Sequence, residues 1–306
     1  METSLVPPAT IVVGVDGSTD SKRAVWWAAN EAAARHSTLL LIHALDGSVS
    51  RQSPNLPEPG PRAASTVPSA DEVLAEEAQH ATTGHPSLVV RTRVVSGDPR
   101  QVLLDLAETA QLLVVGSHGR GPIRRRMLGS VSAELAERAS CPVIVMRPYP
   151  PGPRRRGVLV GVDADSRSLP VLGFAFREAA AFRLPLTVMT FDSRTAARAM
   201  PCSTGAGGEP PFVESLDALR ALHPEVQVNV HSAASHRGGP ERALSVEAAT
   251  MDVLVIGRDD TSGHSHTTAG GVSDYLVHHA STIVVVVPTG PDRAEHRAPS
   301  ARQLAT

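Results

Sequence analysis

The two halves of this 306-residue chain repeat one order of sequence segments. Residues 11–46 align with residues 158–192 with a single one-residue gap, so that IVVGVDGSTD matches VLVGVDADSR and NEAAARH matches REAAAFR. Later, LLVVGSHGR matches VLVIGRDDT, and GSVSAELAERASCPVIVMRP matches GGVSDYLVHHASTIVVVVP. Self-similarity over this length is typical of a duplicated domain. We therefore predict one domain over residues 1–150 and a second over 151–290, followed by a disordered tail over 291–306.

Each copy alternates apolar runs with segments of helical composition, which is the pattern of a parallel sheet covered by helices on both faces. A helix is predicted over residues 130–140 with Ser130 as its N-cap, and Asp98 followed by Pro99 has the pattern of another helix start. The fold class is therefore α/β. The strands predicted in the first copy are residues 11–15, 39–44, 89–95, 112–115 and 143–146.

Composition limits the classes of function. With 42% apolar residues and a net charge of -2, the chain can bury a core and has no basic excess that would favour nucleic acid. Cys141 and Cys202 are its two cysteines, which excludes a disulfide framework and fits a reducing compartment. The sequence begins without a signal-type segment, and its apolar runs are too short to span a bilayer. We expect a cytoplasmic protein whose partners include neither nucleic acid nor membrane.

A glycine-rich loop follows the fourth predicted strand. Gly116, Gly119, Gly129 and Ser130 lie in LLVVGSHGRGPIRRRMLGSVS, between an apolar run and a helix. Main-chain amides at a helix N-terminus attract an anion, and glycine lets the backbone approach it closely. The alternative is a glycine-rich turn that only connects two elements. Arg120 would add a charge-assisted contact to a phosphate, or would belong to a solvated basic loop.

These residues carry a resemblance to a known family. GVDGS after the first strand, together with G-x-x-G-x(9)-G-S in the glycine-rich loop, resembles the ATP-binding class of the universal stress protein family in its tandem two-domain form. The resemblance covers residues 8–288. It implies two doubly wound domains, each a five-stranded parallel sheet of order 3-2-1-4-5. It also implies ATP, accompanied by Mg²⁺, in the crevice between strands 1 and 4, where such sheets place their ligands.

The resemblance assigns the residues around the nucleotide as well. Gly14 and Asp16 would lie on the adenosine side, the backbone around Ala44 would flank the adenine, and the glycine-rich loop would wrap the ribose and phosphates. Asp16 has a second interpretation as a local cap of the turn GVDGST. The full set implied in the first copy is Gly14, Asp16, Ala44, Gly116, Ser117, His118, Gly119, Arg120, Gly121, Pro122, Gly129, Ser130, Val131 and Ser132. The corresponding set in the second copy is Gly161, Asp163, Gly257, Gly270 and Gly271.

The second copy departs from the motif. Asp260 stands at the position of Gly119 and Gly271 at that of Ser130, and a carboxylate among phosphates repels them. We expect its site to be weaker, different or empty. The same loop contains histidines that suggest a metal, but they lack a carboxylate or cysteine pattern, and we predict no metal site. The histidines considered are His264, His266, His278 and His279.

Four residues of the predicted first helices have two interpretations each. Glu31 and Glu178 occupy equivalent positions and are expected to be exposed or to lie at an interface instead of acting as general bases. Trp26 and Trp27 cannot both face the core, so we expect one to pack inside and the other to border the surface between the domains.

Two functions from different classes remain open. One is an ATP-binding regulatory protein that signals its nucleotide state to a protein partner or through dimerisation. The other is a slow ATPase or autophosphorylating enzyme in which Ser130, Ser132 or His118 takes part. The sequence has neither G-x-x-x-x-G-K-[ST] nor G-x-S-x-G, which favours binding without catalysis. The β-prone runs CPVIVM and STIVVVV predict pairing through the last strands, as a homodimer or as a pseudo-dimer within one chain.

Overall fold

The computed structural model of the protein describes residues 9–45, 68–119, 128–147, 157–162, 168–191, 212–233, 238–258 and 271–289. The strands are β1 (Thr10–Gly14), β2 (Thr38–Leu45), β3 (Val90–Ser96), β4 (Leu112–Gly116), β5 (Val143–Met146), β6 (Val158–Val162), β7 (Leu186–Thr190), β8 (Val228–Ser232), β9 (Val253–Arg258) and β10 (Ile283–Pro288). The helices are α1 (Thr19–Ala34), α2 (Ala70–Gly84), α3 (Pro99–Ala107), α4 (Ser130–Arg138), α5 (Leu169–Phe182), α6 (Phe212–Leu222), α7 (Gly239–Ala248) and α8 (Val272–His279).

All ten strands form one sheet with the order β3-β2-β1-β4-β5-β10-β9-β6-β7-β8. Within each half the strands are parallel and follow the expected order 3-2-1-4-5, so the predicted α/β fold is confirmed. The halves join where β10 runs antiparallel to β5, with Ile144 opposite Val285. The predicted strand ends differ from the observed ones by one residue at most, and 143–146 is β5 itself.

The central strands are buried on both faces because helices cover each side. Along β1, Ile11 and Val13 belong to the core that contains α1 and α2, while Val12 faces a second core that contains α3 and α4. In the second half, α5 and α6 pack on the first face and α7 and α8 on the other. Continuous apolar strands of this kind are the sequence signature of a parallel sheet between two helical layers. In the described residues, no helix is both long and apolar enough to cross a membrane.

The helix starts agree with the predicted caps except at α4. The Asp98 side chain accepts a hydrogen bond from the Arg100 amide, and Pro99 is the first residue of α3. The prediction that Ser130 caps α4 was wrong, because Gly129 is the N-cap and Ser130 is already helical. Gly129 has the extended backbone that a cap requires and no side chain to satisfy the helix amides.

The first helices of the two halves meet at a buried ionic cluster. Glu31 of α1 and Glu178 of α5 are both 0% exposed, so of the two interpretations the interface is the correct one. Arg35 forms ion pairs with both carboxylates. Its guanidinium also lies 5.6 Å from the centroid of the Phe174 ring, which contributes a cation–π contact. The cluster therefore ties the two halves together across their shared sheet.

The two neighbouring tryptophans are not located as expected. Trp27 is 6% exposed and its ring centroid lies 6.1 Å from that of Phe182 in the other half. One tryptophan thus both packs in the core and reaches the surface between the halves. Trp26 is 70% exposed and lines a cavity between α1 and α2.

Candidate functional site

A cavity of about 300 Å³ opens at the carboxyl ends of β1, β2 and β4. At this edge the chain leaves β1 toward one face of the sheet and leaves β4 toward the other face. Doubly wound sheets bind ligands at such a point. Segments that are about a hundred residues apart in the chain form its walls. The predicted residues that line it are Gly14, Asp16, Ala44, Gly116, Ser117, His118, Gly119, Gly129, Ser130, Val131 and Ser132.

Some lining residues could not be found from a glycine motif. Leu103 of α3 closes one side, and its methyl carbon lies 3.0 Å from the position that a Cβ on Gly14 would take. Val15, Ile42 and Val115 add further apolar surface, and Pro99 and Ser21 complete the lining. One part of the cavity is therefore apolar, as a planar base requires, and the part beside the loop after β4 is polar.

The polar part lies at the N-terminus of α4. The Gly129 amide donates to the Ser117 carbonyl at 2.8 Å, and this bond fixes the start of the helix against the end of β4. The Ser132 hydroxyl donates to the carbonyls of Gly129 at 3.0 Å and Ser117 at 3.3 Å. Because Gly129 offers no side-chain cap, the first amides of α4 are available to an anion in the cavity.

Asp16 forms the local cap considered for it and also lines the cavity. Its Oδ1 accepts from the Ser18 amide at 2.9 Å, which is the local cap of the turn. Gly17, in the middle of that turn, has φ of 77°, a left-handed conformation that favours glycine. The Oδ2 of Asp16 lies 2.8 Å from the position that a Cβ on Gly119 would take, so the carboxylate also faces the loop after β4.

A second carboxylate holds the loop after β4 in place. The Ser117 hydroxyl donates to Asp20 Oδ2 at 2.8 Å, and His118 Nδ1 lies 3.0 Å from the same oxygen. The His118 carbonyl accepts from the Ser18 hydroxyl at 3.2 Å. The start of α1 therefore positions the first two residues of the loop. Asp20 was missed because nothing in STDS distinguishes it from an ordinary acidic residue in a first helical turn.

Gly116 has a steric role that the sequence did not reveal. A Cβ there would lie 2.9 Å from Asp20 Cβ and 3.0 Å from the Ser21 amide nitrogen. The absence of a side chain lets α1 pack onto the end of β4. The predicted close approach of the backbone to an anion stays a prediction.

The second half presents only part of its predicted site among the described residues. Gly161 lies in β6, Gly257 in β9, and Gly271 is the N-cap of α8. A Cβ on Gly161 would meet Leu244 at 2.7 Å, which repeats the contact of Gly14 with Leu103. Five predicted residues lie outside the described part of the chain, as do Asp260, His264 and His266. Those five are Arg120, Gly121, Pro122, Asp163 and Gly270.

The sheet register shows what replaces Ala44 in the second half. Val12 pairs with Leu40 in β1 and β2, and Leu159 pairs with Thr187 in β6 and β7, so the two halves match at an offset of 147 residues. At that offset Phe191 stands in the place of Ala44. Phe191 packs against the core that contains Leu244 and Met189. A large ring thus occupies the position that an alanine leaves open in the first half.

The histidines near the second loop make local contacts. Nδ1 of His278 lies 2.8 Å from the Asp274 carbonyl, and Nδ1 of His279 lies 2.8 Å from the Tyr275 carbonyl. The ring of His279 also stacks on Tyr275, with centroids 4.3 Å apart. In the parts of the chain that the structure describes, no three His, Cys, Asp or Glu side chains are grouped so that they could hold a metal ion.

Fold and cavity together define a doubly wound α/β protein with a crevice at the switch point of the sheet, where proteins of this architecture bind ligands. The Universal stress protein family model matches residues 9–147 and again 154–288, and the chain belongs to this family. A universal stress protein of Mycobacterium tuberculosis (strain ATCC 25618 / H37Rv) is 29% identical over 286 residues, which are 90% of this chain and 96% of the relative. Another from the same strain is 36% identical over 180 residues, 59% of this chain and 64% of that relative.

Solved structures share the two-domain fold. A universal stress protein from Archaeoglobus fulgidus DSM 4304 has a TM-score of 0.59 and 14% identity, with 92% of this chain and 99% of that chain covered. A protein of unknown function, PA1789 from Pseudomonas aeruginosa PAO1, has a TM-score of 0.62 and 16% identity, with 92% of each chain covered. At this identity the likeness concerns the fold alone.

Proposed function

We propose that the protein is a regulatory ATP-binding protein of the cytoplasm, with its nucleotide in the crevice between β1 and β4. The observation that carries the proposal is the cavity of about 300 Å³, which gathers ten residues from two distant sequence motifs together with Ala44. One polar and one apolar region adjoin within it. This division matches a ligand that has an aromatic base at one end and an anion at the other.

The two regions indicate how the nucleotide would lie. The adenine would pack among Ile42, Ala44 and Leu103, where the lining is apolar. The phosphates, with Mg²⁺ as their counterion, would meet the amides of the loop after β4 and the uncapped first turn of α4. The carboxylate of Asp16 is then suited to a hydroxyl donor of the ribose, since it would repel a phosphate.

Binding without turnover is the function that the side chains favour over ATP hydrolysis or autophosphorylation. The Ser132 hydroxyl already donates to two main-chain carbonyls, which leaves it poorly placed as a phosphate acceptor. His118 Nδ1 and the Ser117 hydroxyl share one oxygen of Asp20, in an arrangement that orders the loop. Nucleotide state would then reach a protein partner, or a second copy of the chain, through the order of this loop.

Calorimetric titration of the purified full chain with Mg²⁺ and ATP tests the proposal. We expect binding of one ATP per chain. Ala44→Phe copies Phe191 of the second half and places a ring in the adenine region, so it should abolish binding. Ala29→Phe is the matched control, because it makes the same change on the opposite face of the sheet and should leave ATP affinity unchanged. Full ATP affinity in the Ala44→Phe protein would refute this site.

A further inference from the structure

A second cavity, of about 220 Å³, lies between α1 and α2. These helices cover the face of the sheet opposite the one that carries α3, so the cavity is separate from the nucleotide crevice. Its walls combine small apolar residues with one exposed tryptophan and several groups that can carry charge. The residues that line it are Lys22, Val25, Trp26, Ala29, Asn30, Glu77, His80, Ala81, Gly84 and His85.

The duplicated half shows what fits against His85. The turns after α2 and α6 match at an offset of 138 residues, since Leu88 donates to the His85 carbonyl as Val226 does to that of His223. In the second half the ring of Phe176 stacks on His223, with centroids 5.9 Å apart and an angle of 29° between the planes. The position of Phe176 is that of Ala29 in the first half. The cavity is therefore the space that a planar ring fills in the other copy.

A second replacement lies at the rim of the same space. Leu222 of α6 corresponds to Gly84 of α2, and a Cβ on Gly84 would have nothing within 4 Å. Leu222 is itself 72% exposed, so in the second half the buried ring of Phe176 fills the space and Leu222 does not. The first half thus has an opening, flat enough for a ring, where the second half has the Phe176 side chain.

A buried carboxylate gives the cavity its charge preference. Glu77 is 2% exposed, and its Oε1 has no hydrogen-bond donor among the described residues. The nearest cation, Lys22 Nζ, lies 3.7 Å from this oxygen but 2.9 Å from Glu76 Oε1, with which it pairs. Burial raises the pKa of Glu77, and the positive charge of Lys22 compensates only part of that effect. A buried carboxylate in this situation is stabilised by a cation or a donor that enters beside it.

The exposed tryptophan suits the same kind of ligand. Trp26 is 70% exposed although its indole borders the cavity, and its carbonyl accepts from Asn30 Nδ2 at 2.7 Å. An indole face attracts a cation and also stacks on flat rings. The second half has Gly173 at the position of Trp26 and Ser215 at that of Glu77, so it lacks both features.

We propose that the cavity between α1 and α2 binds a small organic cation with a planar ring, such as an arylalkylammonium ion. The ring occupies the space over His85 that Phe176 occupies over His223. The ammonium group of the ligand pairs with Glu77, and Trp26 covers the side that faces solvent. This site is independent of the proposed ATP crevice.

Ligand-observed NMR with the full chain tests the proposal, using 2-phenylethylammonium as the probe. We expect saturable binding, and only weak signals from 3-phenylpropanoate, which has the ring without the positive charge, and from butylammonium, which has the charge without the ring. Glu77→Gln keeps the shape and removes the charge, so affinity should fall about tenfold. Gly84→Leu, which adds a side chain at the rim of the same space, should weaken binding.

Two controls make the outcome decisive. Ala44→Phe should leave the amine affinity unchanged, because it acts in the other cavity, and ATP affinity should survive Gly84→Leu. Thermal melts of each variant report whether it is folded, and Ala29→Phe provides a second way to fill the space. The proposal is wrong if the probe does not bind the native protein, if the carboxylate probe binds equally well, or if Glu77→Gln and both filling variants retain full affinity.

Discussion

Three charged residues at the junction of the halves, Glu31, Glu178 and Arg35, have to balance one another. Two fully buried carboxylates share a single guanidinium in direct contact, and the positive charge of Arg177, an exposed residue, also acts on both. Removing one partner of a buried ion pair leaves an uncompensated charge, whereas removing a surplus charge does not. Loss of the arginine should therefore lower the free energy of unfolding much more than loss of one carboxylate charge.

We expect Arg35→Met to lower the free energy of unfolding by about 3–5 kcal/mol, because two buried carboxylates lose their shared cation. Glu178→Gln should cost far less, since Arg35 remains paired with Glu31. Urea unfolding followed by circular dichroism measures both. Arg138→Met serves as a control, because Arg138 is an exposed arginine that pairs with Glu134 within one helix. Equal effects of Arg35→Met and Arg138→Met would contradict the role of the cluster.

The same cluster predicts a pH dependence of stability. Burial raises the pKa of Glu178 well above its ordinary value of 4.5, and the negative charge of Glu31 raises it further. The folded protein then keeps a proton at pH values at which the unfolded chain has lost it. The free energy of unfolding should consequently fall as the pH rises above about 4.5, until the folded-state pKa is passed.

Unfolding measured at about pH 5 and at about pH 8 should show a smaller difference for Glu178→Gln than for the native protein. Glu214→Gln, a substitution at an exposed helical glutamate, should leave the native difference unchanged. An identical pH profile in the Glu178→Gln protein would mean that this carboxyl group does not titrate differently in the folded state.

Hydrogen bonds join the first turn of α1 to the start of the loop after β4. Asp20 is the contact between them, through Ser117 and His118. Asp20→Ala should free the start of the loop and weaken ATP binding about three- to tenfold, because binding must then order the loop amides. The loss of stability should be only about 1 kcal/mol. Calorimetric titration with ATP provides the measurement.

Asp71→Ala is the matched control for that change, because Asp71 is also an acidic residue in a first helical turn, in α2, which does not line the crevice. It should leave ATP affinity unchanged. If Asp20→Ala binds ATP as tightly as the native protein, the loop is ordered without this contact, and the proposed route from nucleotide to loop has lost its support.

The elements also show which parts of the site a sequence can predict. Parallel strands end at one edge of the sheet, so the order 3-2-1-4-5 brings Asp16 and Gly116 together once the strands are recognised. The contacts of Asp20 and Leu103 depend on how α1 and α3 pack against those strands. No local pattern encodes such packing, and the same limit explains why the steric reason for glycine at position 116 could not be predicted.

The two halves of the molecule share one sheet but differ at the positions that line the two cavities of the first half. Phe191 and Phe176 stand where Ala44 and Ala29 line the two cavities of the first half. The pair of Ala29 and Phe176 follows directly from the matched segments NEAAARH and REAAAFR, whereas the pair of Ala44 and Phe191 requires the strand register, because the alignment has its gap nearby. The first half therefore contains the candidate binding sites, and the second half supports them through the continuous sheet.

Two arginines also connect the halves outside the sheet, at the ends of helices. Arg147 donates to the carbonyls of Ala280 at 3.0 Å and His278 at 2.7 Å, at the end of α8. Arg258 donates in the same way to Ala136 at 3.2 Å and Ala139 at 2.7 Å, at the end of α4. Each half thus caps a helix of the other, where unpaired carbonyls and the negative end of the helix dipole favour a cation. Since α4 begins at the proposed nucleotide crevice, Arg258 connects that helix to the second half.

Arg258→Met should lower the free energy of unfolding by about 1–3 kcal/mol, because the last carbonyls of α4 lose charged donors in a partly buried place. Calorimetry should also show that ATP stabilises the variant less than it stabilises the native protein, because the helix proposed to meet the phosphates is held less firmly. Arg138→Met changes an exposed arginine of the same helix that pairs with Glu134, and both quantities should stay near native values. If the two variants behave alike, α4 does not depend on the second half, and the halves are joined by the sheet and the ionic cluster alone.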